Sequence, residues 1–339
     1  MRLIMYVFVV SVFLAGCKET LKQKGKEASD KEVDSLNAKS PMQSLNEKIR
    51  QTPNNSILYF DRAEMHLISN SVDDALNDLD RAIKLDSTNS NFYLLKGDIL
   101  FMQKQTRDAK ALLDKSIALD AENVDAHLKL AEMYFLSEQY QESINSINNA
   151  LRVDVYHPKA YFQKGMTYKY LGDTASAVSS FQTAIEQNSE YYEAHIQLGV
   201  IYASINDPMA EAYYNNALQI RPTSLEAIYN KSLFLQNTER YEKAVEGYKL
   251  MTKISPSSYA AYYNMGYIKL TVDQDLDSAL YLFNKVIAIN HVYYPAYYNI
   301  GLCHEQKGDF AKAKVNYQAT LKLQPDYDLA ALGLSRVLN

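Results

Sequence analysis

The chain has 339 residues, 47% of them hydrophobic and 22% charged, so it can bury a folded core. A formal net charge of −5 and a pI near 5.8 argue against a general nucleic-acid binder, which needs a basic face. The only cysteines, Cys17 and Cys303, exclude a disulfide framework and a cysteine-based zinc site, and eleven glycines and eight prolines suit helices joined by short connections.

The amino-terminal segment contains an apolar run from Leu3 to Leu14, which is too short to cross a bilayer and is typical of the hydrophobic region of a signal peptide. The run ends in LAGC, which resembles the lipobox of bacterial lipoproteins. This resemblance implies that residues 1–16 are a lipoprotein signal peptide and that Cys17 is lipidated; the alternative is an ordinary signal peptide with a chance cysteine. Lys18 replaces the aspartate that marks inner-membrane retention in many such lipoproteins, so the resemblance favours the outer membrane and leaves open which side the protein faces.

Residues 17–41 are mostly polar and of mixed charge, and such a segment buries too little apolar surface to fold. As a flexible coil of about 25 residues it would span roughly 25–30 Å, so we predict a tether between the lipid and the folded part. Residues 42–55 are predicted to form an N-terminal capping helix that ends at Pro53.

From there on, small residues recur at intervals of 33 to 35 residues. These positions are Ala63, Gly97, Ala131, Gly165, Gly199, Ser232, Gly266 and Gly301. About twelve residues after each comes a second small residue, and a bulky residue follows four positions later, on the same face of a helix. The bulky residues are Leu79, Leu113, Ile147, Phe181, Tyr214, Tyr248, Phe283 and Tyr317. A repeat of this length predicts pairs of short helices, stacked so that each pair buries its apolar face against the next.

The pattern resembles the tetratricopeptide repeat (TPR), most visibly in YYNMGY…SALYLFNKV and YYNIGL…AKAKVNYQATLKLQP. The resemblance implies an all-α fold, a right-handed TPR superhelix (α-solenoid) of about eight helix-turn-helix repeats over residues 56–327, with a C-terminal capping helix at 328–339. The eight repeats are 56–89, 90–123, 124–157, 158–191, 192–224, 225–258, 259–293 and 294–327. The match is weakest in repeats 2 and 3.

In this family the first helix of each repeat (helix A) lines a concave groove, and the resemblance implies that the fifth, sixth and ninth residues of each repeat point into it. In the last three repeats these positions supply the residues that we call the Tyr–Asn zone: Tyr229, Asn230, Tyr263, Asn264, Tyr267, Tyr298 and Asn299. Exposed asparagines offer a donor and an acceptor to an extended peptide backbone, and tyrosines supply rigid contact area with a polar tip. We therefore predict a peptide-binding zone; the alternative is that these residues only follow the repeat consensus.

The first three repeats instead carry carboxylates at the ninth position, beside aromatic residues. We call this set the acidic zone: Glu64, Asp98, Glu132, Phe101 and Phe135. It predicts a second docking site, for a segment with basic and apolar residues, although a row of acids on a helix can equally be a solvated face. The family's clamp for a C-terminal carboxylate is not expected, because the matching basic residues are absent apart from Lys129 and Lys159.

The sequence contains no phosphate-binding loop, metalloprotease motif or nucleophile elbow, so we expect no catalytic residues, cofactor or metal. His127 and His195 occupy a position that is usually packed between helices, and Cys303 and His304 are likewise expected in packing roles. The predicted function is a non-enzymatic, lipid-anchored scaffold or adaptor that binds peptide segments of cell-envelope proteins. A glycan-binding module and a self-associating structural protein, such as a homodimer, are the alternatives.

Overall fold

The structure of the protein is a computed structural model that describes residues 40–338. The predicted signal peptide, Cys17 and the predicted tether up to residue 39 lie outside the described residues. The described part of the chain forms helices and contains no strand, and none of these helices combines the length and the apolar character needed to cross a bilayer. The helices are α1 (Pro41–Gln51), α2 (Ser56–Ile68), α3 (Val72–Leu85), α4 (Ser90–Met102), α5 (Thr106–Leu119), α6 (Val124–Leu136), α7 (Tyr140–Val153), α8 (Pro158–Leu171), α9 (Thr174–Gln187), α10 (Tyr192–Ser204), α11 (Met209–Ile220), α12 (Leu225–Asn237), α13 (Tyr241–Ile254), α14 (Tyr259–Thr271), α15 (Leu276–Ile289), α16 (Tyr294–Gln306), α17 (Phe310–Leu323) and α18 (Asp328–Leu338).

The chain divides into two compact units, one ending at Leu171 and the other beginning at Gly172. In the first unit α1 is followed by three helix pairs, from α2 to α7, and by α8. In the second unit α9 is followed by four pairs, from α10 to α17, and by α18. Within each unit consecutive helices pack against each other, and the first helices of neighbouring repeats also touch. Each unit is therefore a stack of helix pairs, as the repeat pattern predicts.

Helix α1 shows how the local sequence sets the ends of a helix. Its N-cap is Ser40: the Gln43 amide donates to the Ser40 hydroxyl oxygen at 3.2 Å, and the Ser40 amide donates to Gln43 Oε1 at 3.0 Å. Pro41 follows as the first helical residue, where its missing amide costs nothing. The helix ends two residues before Pro53, because the residue before a proline is steered away from helical backbone. Both ends of α1 thus precede those of the predicted helix at 42–55.

The turn between the two helices of a repeat contains one residue in the left-handed conformation. In repeat 2 this residue is Lys104: its amide donates to the Phe101 carbonyl at 2.9 Å, and the Gln105 amide donates to the Leu100 carbonyl at 2.9 Å. This is the Schellman pattern, which satisfies the last carbonyls of the helix and normally uses glycine. Only two of the left-handed turn residues are glycine, Gly172 and Gly308; the others are Asn70, Lys104, Glu138, Asn206, Glu239 and Gln274.

The core consists of the small and bulky residues that the sequence pattern predicts. All eight bulky residues are at most 2% exposed. A Cβ atom on Gly199 would lie 2.5 Å from the Tyr214 ring, and one on Gly301 would lie 2.8 Å from the Tyr317 ring. At these points the paired helices approach too closely for any side chain on helix A. The prediction of small residues at the helix crossings is confirmed.

Repeat 6 achieves the same close approach with the small residue on the opposite helix. Ser232 replaces the glycine of helix A, and its hydroxyl donates to the Ile228 carbonyl at 2.7 Å. On the partner helix Gly247 supplies the missing space, since a Cβ there would lie 2.0 Å from Ser232 Oγ. A search for small residues along helix A alone cannot detect this exchange.

Candidate functional site

The fourth residue of several repeats has a structural role. Its side chain reaches the carbonyl of the residue six positions earlier and so fixes the turn that precedes helix A. These hydrogen bonds join Tyr59 to Pro53 (2.9 Å), Tyr93 to Ser87 (3.1 Å), His127 to Ala121 (3.0 Å), His195 to Ser189 (3.0 Å) and Tyr297 to His291 (3.1 Å). Both histidines are buried. The prediction that His127 and His195 are core histidines is confirmed.

Cys303 and His304 lie on α16. Cys303 is fully buried, and burial raises the pKa of its thiol to about 12, so the thiol stays protonated and behaves as a small apolar group. Burial lowers the pKa of the His304 imidazole, whose Nδ1 lies 3.9 Å from Asp309 Oδ2. Across residues 40–338 no group of three or more histidine, cysteine or acidic side chains is placed to hold a metal ion.

The acidic zone does not form a row of free carboxylates. Lys129 Nζ lies 2.9 Å from Asp98 Oδ1 and 2.8 Å from Glu132 Oε2, and all three side chains are largely buried. Lys129 is the sixth residue of repeat 3 and lies on helix A. Its positive charge neutralises two of the carboxylates that were predicted to bind a basic segment of a partner. The electrostatic part of that prediction therefore fails for Asp98 and Glu132, because their charges are satisfied within the first unit.

Phe135, one of the aromatic residues of the acidic zone, is also packed against other side chains of the first unit. The ring of Phe135 is buried, and it lies edge-on to Tyr170 at a centroid distance of 5.0 Å and to Tyr140 at 5.8 Å. Phe101 and Glu64 are partly buried. Packing within the first unit thus accounts for most of this zone.

The second unit contains two similar segments, YAAYYNMGY from Tyr259 and YPAYYNIGL from Tyr294. Each builds a cluster of three tyrosines, two from helix A and one from the turn at the end of the repeat. We call these clusters the tyrosine triads: Tyr259, Tyr263 and Tyr293 in repeat 7, and Tyr294, Tyr298 and Tyr327 in repeat 8. The Tyr293 centroid lies 5.2 Å from both of its partners, and the Tyr327 centroid lies 5.2 and 5.4 Å from its own.

The geometry of the two triads is nearly the same. The interplanar angles are 55° and 85° in the first triad and 64° and 76° in the second, so the rings meet in tilted or edge-on contacts, which their quadrupoles favour. All six side chains are partly buried. Sequence analysis missed Tyr259, Tyr293, Tyr294 and Tyr327 because it considered only the groove positions of helix A. The signal was the tyrosine at each repeat boundary.

The asparagines of the Tyr–Asn zone are less accessible than the sequence suggested. Asn264 is 8% exposed and Asn299 is 4% exposed, whereas Asn230 is partly buried. Asn299 Nδ2 donates to the Tyr263 hydroxyl oxygen at 3.2 Å, which ties repeat 8 to the first triad. The expectation of an exposed asparagine ladder is wrong at these two positions, because both side chains are buried, Asn299 against Tyr263 and Asn264 beside Tyr248.

Asn264 lies between Tyr263 and the core of repeat 6. Burial raises the pKa of the Tyr248 hydroxyl, and the neighbouring Asn264 amide opposes that increase. The Tyr248 hydroxyl donates to Gln236 Oε1 at 2.9 Å, so its oxygen can still accept from the neighbouring Asn264 amide, whose Nδ2 atom is shielded from solvent. Asn264 is therefore packed beside the buried Tyr248, and its amide is not offered on the surface.

The carboxylates nearest the Tyr–Asn zone are engaged by other side chains. Burial raises the pKa of Glu226, which accepts a hydrogen bond from the Tyr192 hydroxyl at 3.2 Å. Glu305 accepts two hydrogen bonds from Arg336, at 2.6 and 2.8 Å, and a third from Tyr317. Tyr267, at the ninth position of repeat 7, is 43% exposed. The zone therefore presents tyrosine rings and hydroxyl groups on a surface with little free charge.

Comparisons with known proteins agree with this architecture. Three family profiles described as tetratricopeptide repeat match residues 100–158, 158–191 and 294–327. No curated protein matches the chain. Among solved structures, the C-terminal part of a TPR repeat-containing protein from Cytophaga hutchinsonii is 19% identical, with a TM-score of 0.61 over 71% of this chain and 99% of that one.

Two further solved structures resemble the chain more weakly. A tetratricopeptide repeat protein from Parabacteroides merdae is 15% identical, with a TM-score of 0.51 over 74% of this chain and 99% of its own. The APC/C hetero-tetramer Cut9–Hcn1 is 15% identical, with a TM-score of 0.50 over 88% of this chain and 58% of its own. At such identities the similarity shows the fold alone. The helix pairs, their small–bulky core and the matching family profiles lead to one conclusion: this chain contains tetratricopeptide repeats and has the all-α TPR superhelix fold.

Proposed function

We propose that the protein is a non-enzymatic scaffold that binds extended peptide segments of other proteins at the Tyr–Asn zone of its second unit. The observation that carries this proposal is the pair of tyrosine triads, which have nearly the same geometry in two successive repeats. The tyrosine hydroxyls would form hydrogen bonds with the backbone of a bound peptide, and the tyrosine rings would cover the peptide's side chains.

Tyrosine suits such a site for energetic reasons. Each ring offers a large contact area while few torsions are fixed on binding, and the hydroxyl remains available to a polar partner. Packing between the rings of each triad orders them before a partner arrives, which reduces the entropy lost on binding. The asparagines contribute through this framework as well, since Asn299 holds Tyr263 in place at 3.2 Å.

We further propose that the scaffold belongs to the bacterial cell envelope, where lipid on Cys17 anchors it in the outer membrane. This proposal rests on the sequence LAGC at residues 14–17 and on Lys18 after it. Metabolic labelling with a radioactive fatty acid tests the anchor. Label should enter the wild-type chain and be absent from Cys17→Ser, which should also leave the membrane fraction. Equal labelling of the two chains would rule the anchor out.

In-cell photo-crosslinking tests the binding site. A photoreactive residue in place of Tyr267, whose side chain is 43% exposed, should give one dominant adduct with another protein. The matched control carries the same residue at Tyr281, which is 62% exposed on the second helix of the same repeat. The adduct should be absent from that control and should disappear when Tyr263 and Tyr298 are changed to alanine.

The other outcomes separate the alternatives. Identical adducts from both positions, or an adduct that survives loss of the two tyrosines, would contradict binding at the Tyr–Asn zone. A crosslink to a second copy of the chain would support self-association instead. Protection of position 267 by cell-wall glycan, with no protein adduct, would support the glycan-binding alternative.

A further inference from the structure

The C-terminal capping helix, α18, has an outer face that is largely apolar. Three of its leucines are exposed by half or more: Leu329 (50%), Leu332 (59%) and Leu338 (56%). The other exposed residues of the helix are Asp328, Ala331, Ser335 and Arg336. The opposite side of α18 is already filled, since a Cβ atom on Gly333 would lie 2.6 Å from the Tyr317 ring of repeat 8. Helix α18 is therefore apolar on the side that faces the stack and on the side that faces solvent.

The capping helix at the other end of the chain has a different outer face. Leu45 and Ile49 of α1 are buried, and its exposed residues are Pro41, Gln43, Lys48, Arg50 and Gln51. The terminal helices of a solenoid normally present such a polar outer face to water. Helix α1 follows this rule and α18 does not. Because exposed leucines rimmed by polar residues mark an interaction surface, we looked for features of α18 that specify its partner.

The charges on the outer face of α18 are arranged symmetrically. Asp328, Leu332 and Arg336 follow each other at intervals of four residues, so they lie in one row along the helix. The row is negative at one end, apolar in the middle and positive at the other end. If a second α18 is turned antiparallel about a two-fold axis beside Leu332, the two leucines meet, and each Asp328 lies opposite the Arg336 of the other copy. The row is therefore complementary to itself.

The neighbours of this row fit the same axis. Leu329 and Ser335 are each three residues from Leu332, so the axis places the large Leu329 of one copy over the small Ser335 of the other. Arg336 can also serve a second carboxylate. Glu305 accepts from its Nε and Nη2 atoms at 2.6 and 2.8 Å, which leaves the Nη1 donors of a side chain that is 51% exposed.

From the apolar outer face and the self-complementary row, we propose that the protein forms a symmetric homodimer in which the α18 helices of two copies pack antiparallel about Leu332. This interface uses no residue of the Tyr–Asn zone, so it does not depend on the proposed function. The α1 helix of another copy does not suit the same face, because its exposed residues are mostly polar. One short helix per copy buries less than the roughly 1,200 Å² of a standard protein complex, so the dimer is weak and reversible.

Disulfide crosslinking tests the contact on the full chain in detergent. The chain carries Cys17→Ser, and the remaining Cys303 is fully buried. Under mild oxidation by copper phenanthroline, two chains with Leu332→Cys should become linked at least tenfold faster than two chains with the matched control Tyr281→Cys, whose position is 62% exposed on α15. A mixture of Leu329→Cys and Ser335→Cys chains should also crosslink faster than either variant alone.

A charge pair at the axis tests the symmetry. In a dimer of Leu332→Glu, or of Leu332→Lys, two like charges meet across the axis, whereas a mixture of the two variants brings opposite charges together. A tagged Leu332→Glu chain should therefore retain at least tenfold more untagged Leu332→Lys chain than untagged Leu332→Glu chain. Both variants should melt within a few degrees of the wild type because Leu332 is exposed, so a loss of pairing is not a loss of folding.

The outcomes bear on separate parts of the proposal. Crosslinking of Leu332→Cys at the rate of Tyr281→Cys would overturn the homodimer through α18. Fast crosslinking of Leu332→Cys, with no preference of the Glu variant for the Lys variant, would overturn the two-fold arrangement about Leu332. A mixture of Leu329→Cys and Ser335→Cys that crosslinks no faster than either variant alone would overturn the antiparallel register.

Discussion

At the scale of single residues, Gly199 shows how closely the helices of this fold approach each other. A Cβ atom at this position would lie 2.5 Å from the ring of Tyr214, which is itself almost fully buried. At the equivalent position of repeat 2, a Cβ on Gly97 would have its nearest neighbours at 3.3 Å. Glycine is therefore sterically required at Gly199 but much less so at Gly97, although both occupy the same position of the repeat. The sequence alone does not reveal this difference.

The corresponding prediction compares Gly199→Ala with Gly97→Ala. The first should lower the free energy of unfolding by about 1–3 kcal/mol through overpacking against Tyr214. The second should change it by less than about 1 kcal/mol, because mild crowding is offset by the better helix propensity of alanine. Urea denaturation monitored by circular dichroism measures both. Equal losses in the two variants would show that the close contact at Gly199 is not what matters.

Lys129 is the second residue with a predictable effect. Its ammonium group lies between Asp98 and Glu132 in the first unit. Lys129→Met should destabilise the protein by about 3–5 kcal/mol, because two largely buried carboxylates lose the cation that compensates them. The triple variant that adds Asp98→Asn and Glu132→Gln should recover much of this loss. If Lys129→Met is harmless by chemical denaturation, the carboxylates are solvated and the acidic zone becomes available for docking again.

At the scale of helices and turns, differences in repeat length fall at the connection between the two helices of a repeat. Repeat 5 has one residue fewer than most repeats and a shorter second helix, Met209–Ile220, while repeat 7 places its left-handed residue at Gln274 after a longer turn. In both repeats the small and bulky residues of the second helix keep their spacing of four. Changes of length therefore fall where the backbone is exposed, and the packing face is preserved.

The left-handed turn residues give a prediction at this scale. Lys104 adopts a φ of 64°, a conformation that is sterically unfavourable for any residue with a Cβ atom. Its side chain is exposed, so no packing in the core offsets this cost. Lys104→Gly should raise the free energy of unfolding by about 0.5–1 kcal/mol, since glycine adopts this backbone without strain.

The matched control for this turn is Gly308→Ala. Gly308 has a φ of 74°, and a Cβ there would meet no atom within 4 Å, so any loss of stability reports backbone strain alone. We expect a loss of about 1 kcal/mol. Thermal melts of both variants should move in opposite directions. A lower melting temperature for Lys104→Gly would mean that the greater flexibility of glycine in the unfolded chain outweighs the strain relieved.

At the scale of the whole molecule, the sequence predicted the fold better than the site. The small–bulky period specified the helix pairs because a solenoid repeats one packing problem, and each solution leaves a mark at a fixed spacing. The period did not predict the exchange between Ser232 and Gly247. There the glycine lies on the second helix of the repeat and the larger residue on the first. The tyrosine triads were predicted only in part: Tyr263 and Tyr298 stand in the predicted zone, but their ring partners Tyr293 and Tyr327 come from turns that the groove pattern does not include. The burial of Asn264 and the neutralisation of Asp98 by Lys129 depend on neighbouring repeats, which no single repeat encodes.

The buried tyrosines also lead us to expect that high pH destabilises the second unit more than the first. Burial raises the pKa of six of its tyrosines strongly, that of Tyr192 to about 12; the others are Tyr191, Tyr214, Tyr248, Tyr293 and Tyr317. In the unfolded chain a tyrosine titrates near pH 10. Above about pH 10 the unfolded chain therefore binds fewer protons than the folded one, so the free energy of unfolding falls as the pH rises through the folded-state pKa values. Below that pH both states are protonated and this contribution to stability is fully present.

We accordingly expect alkaline unfolding to begin after residue 172. Titration from about pH 9 to about pH 12, followed by circular dichroism and phenolate absorbance, should show one transition in which both signals change together. Brief digestion by an alkaline-active protease at the start of the transition should cut first within residues 172–338. Tyr214→Phe keeps the buried ring but cannot ionise, so it should move the transition to higher pH, whereas Tyr156→Phe, at an exposed position of the first unit, should not. First cuts within residues 40–171, or an identical transition in Tyr214→Phe, would show that groups other than these buried phenols set the alkaline limit, and that the tyrosines concentrated in the second unit do not govern its stability.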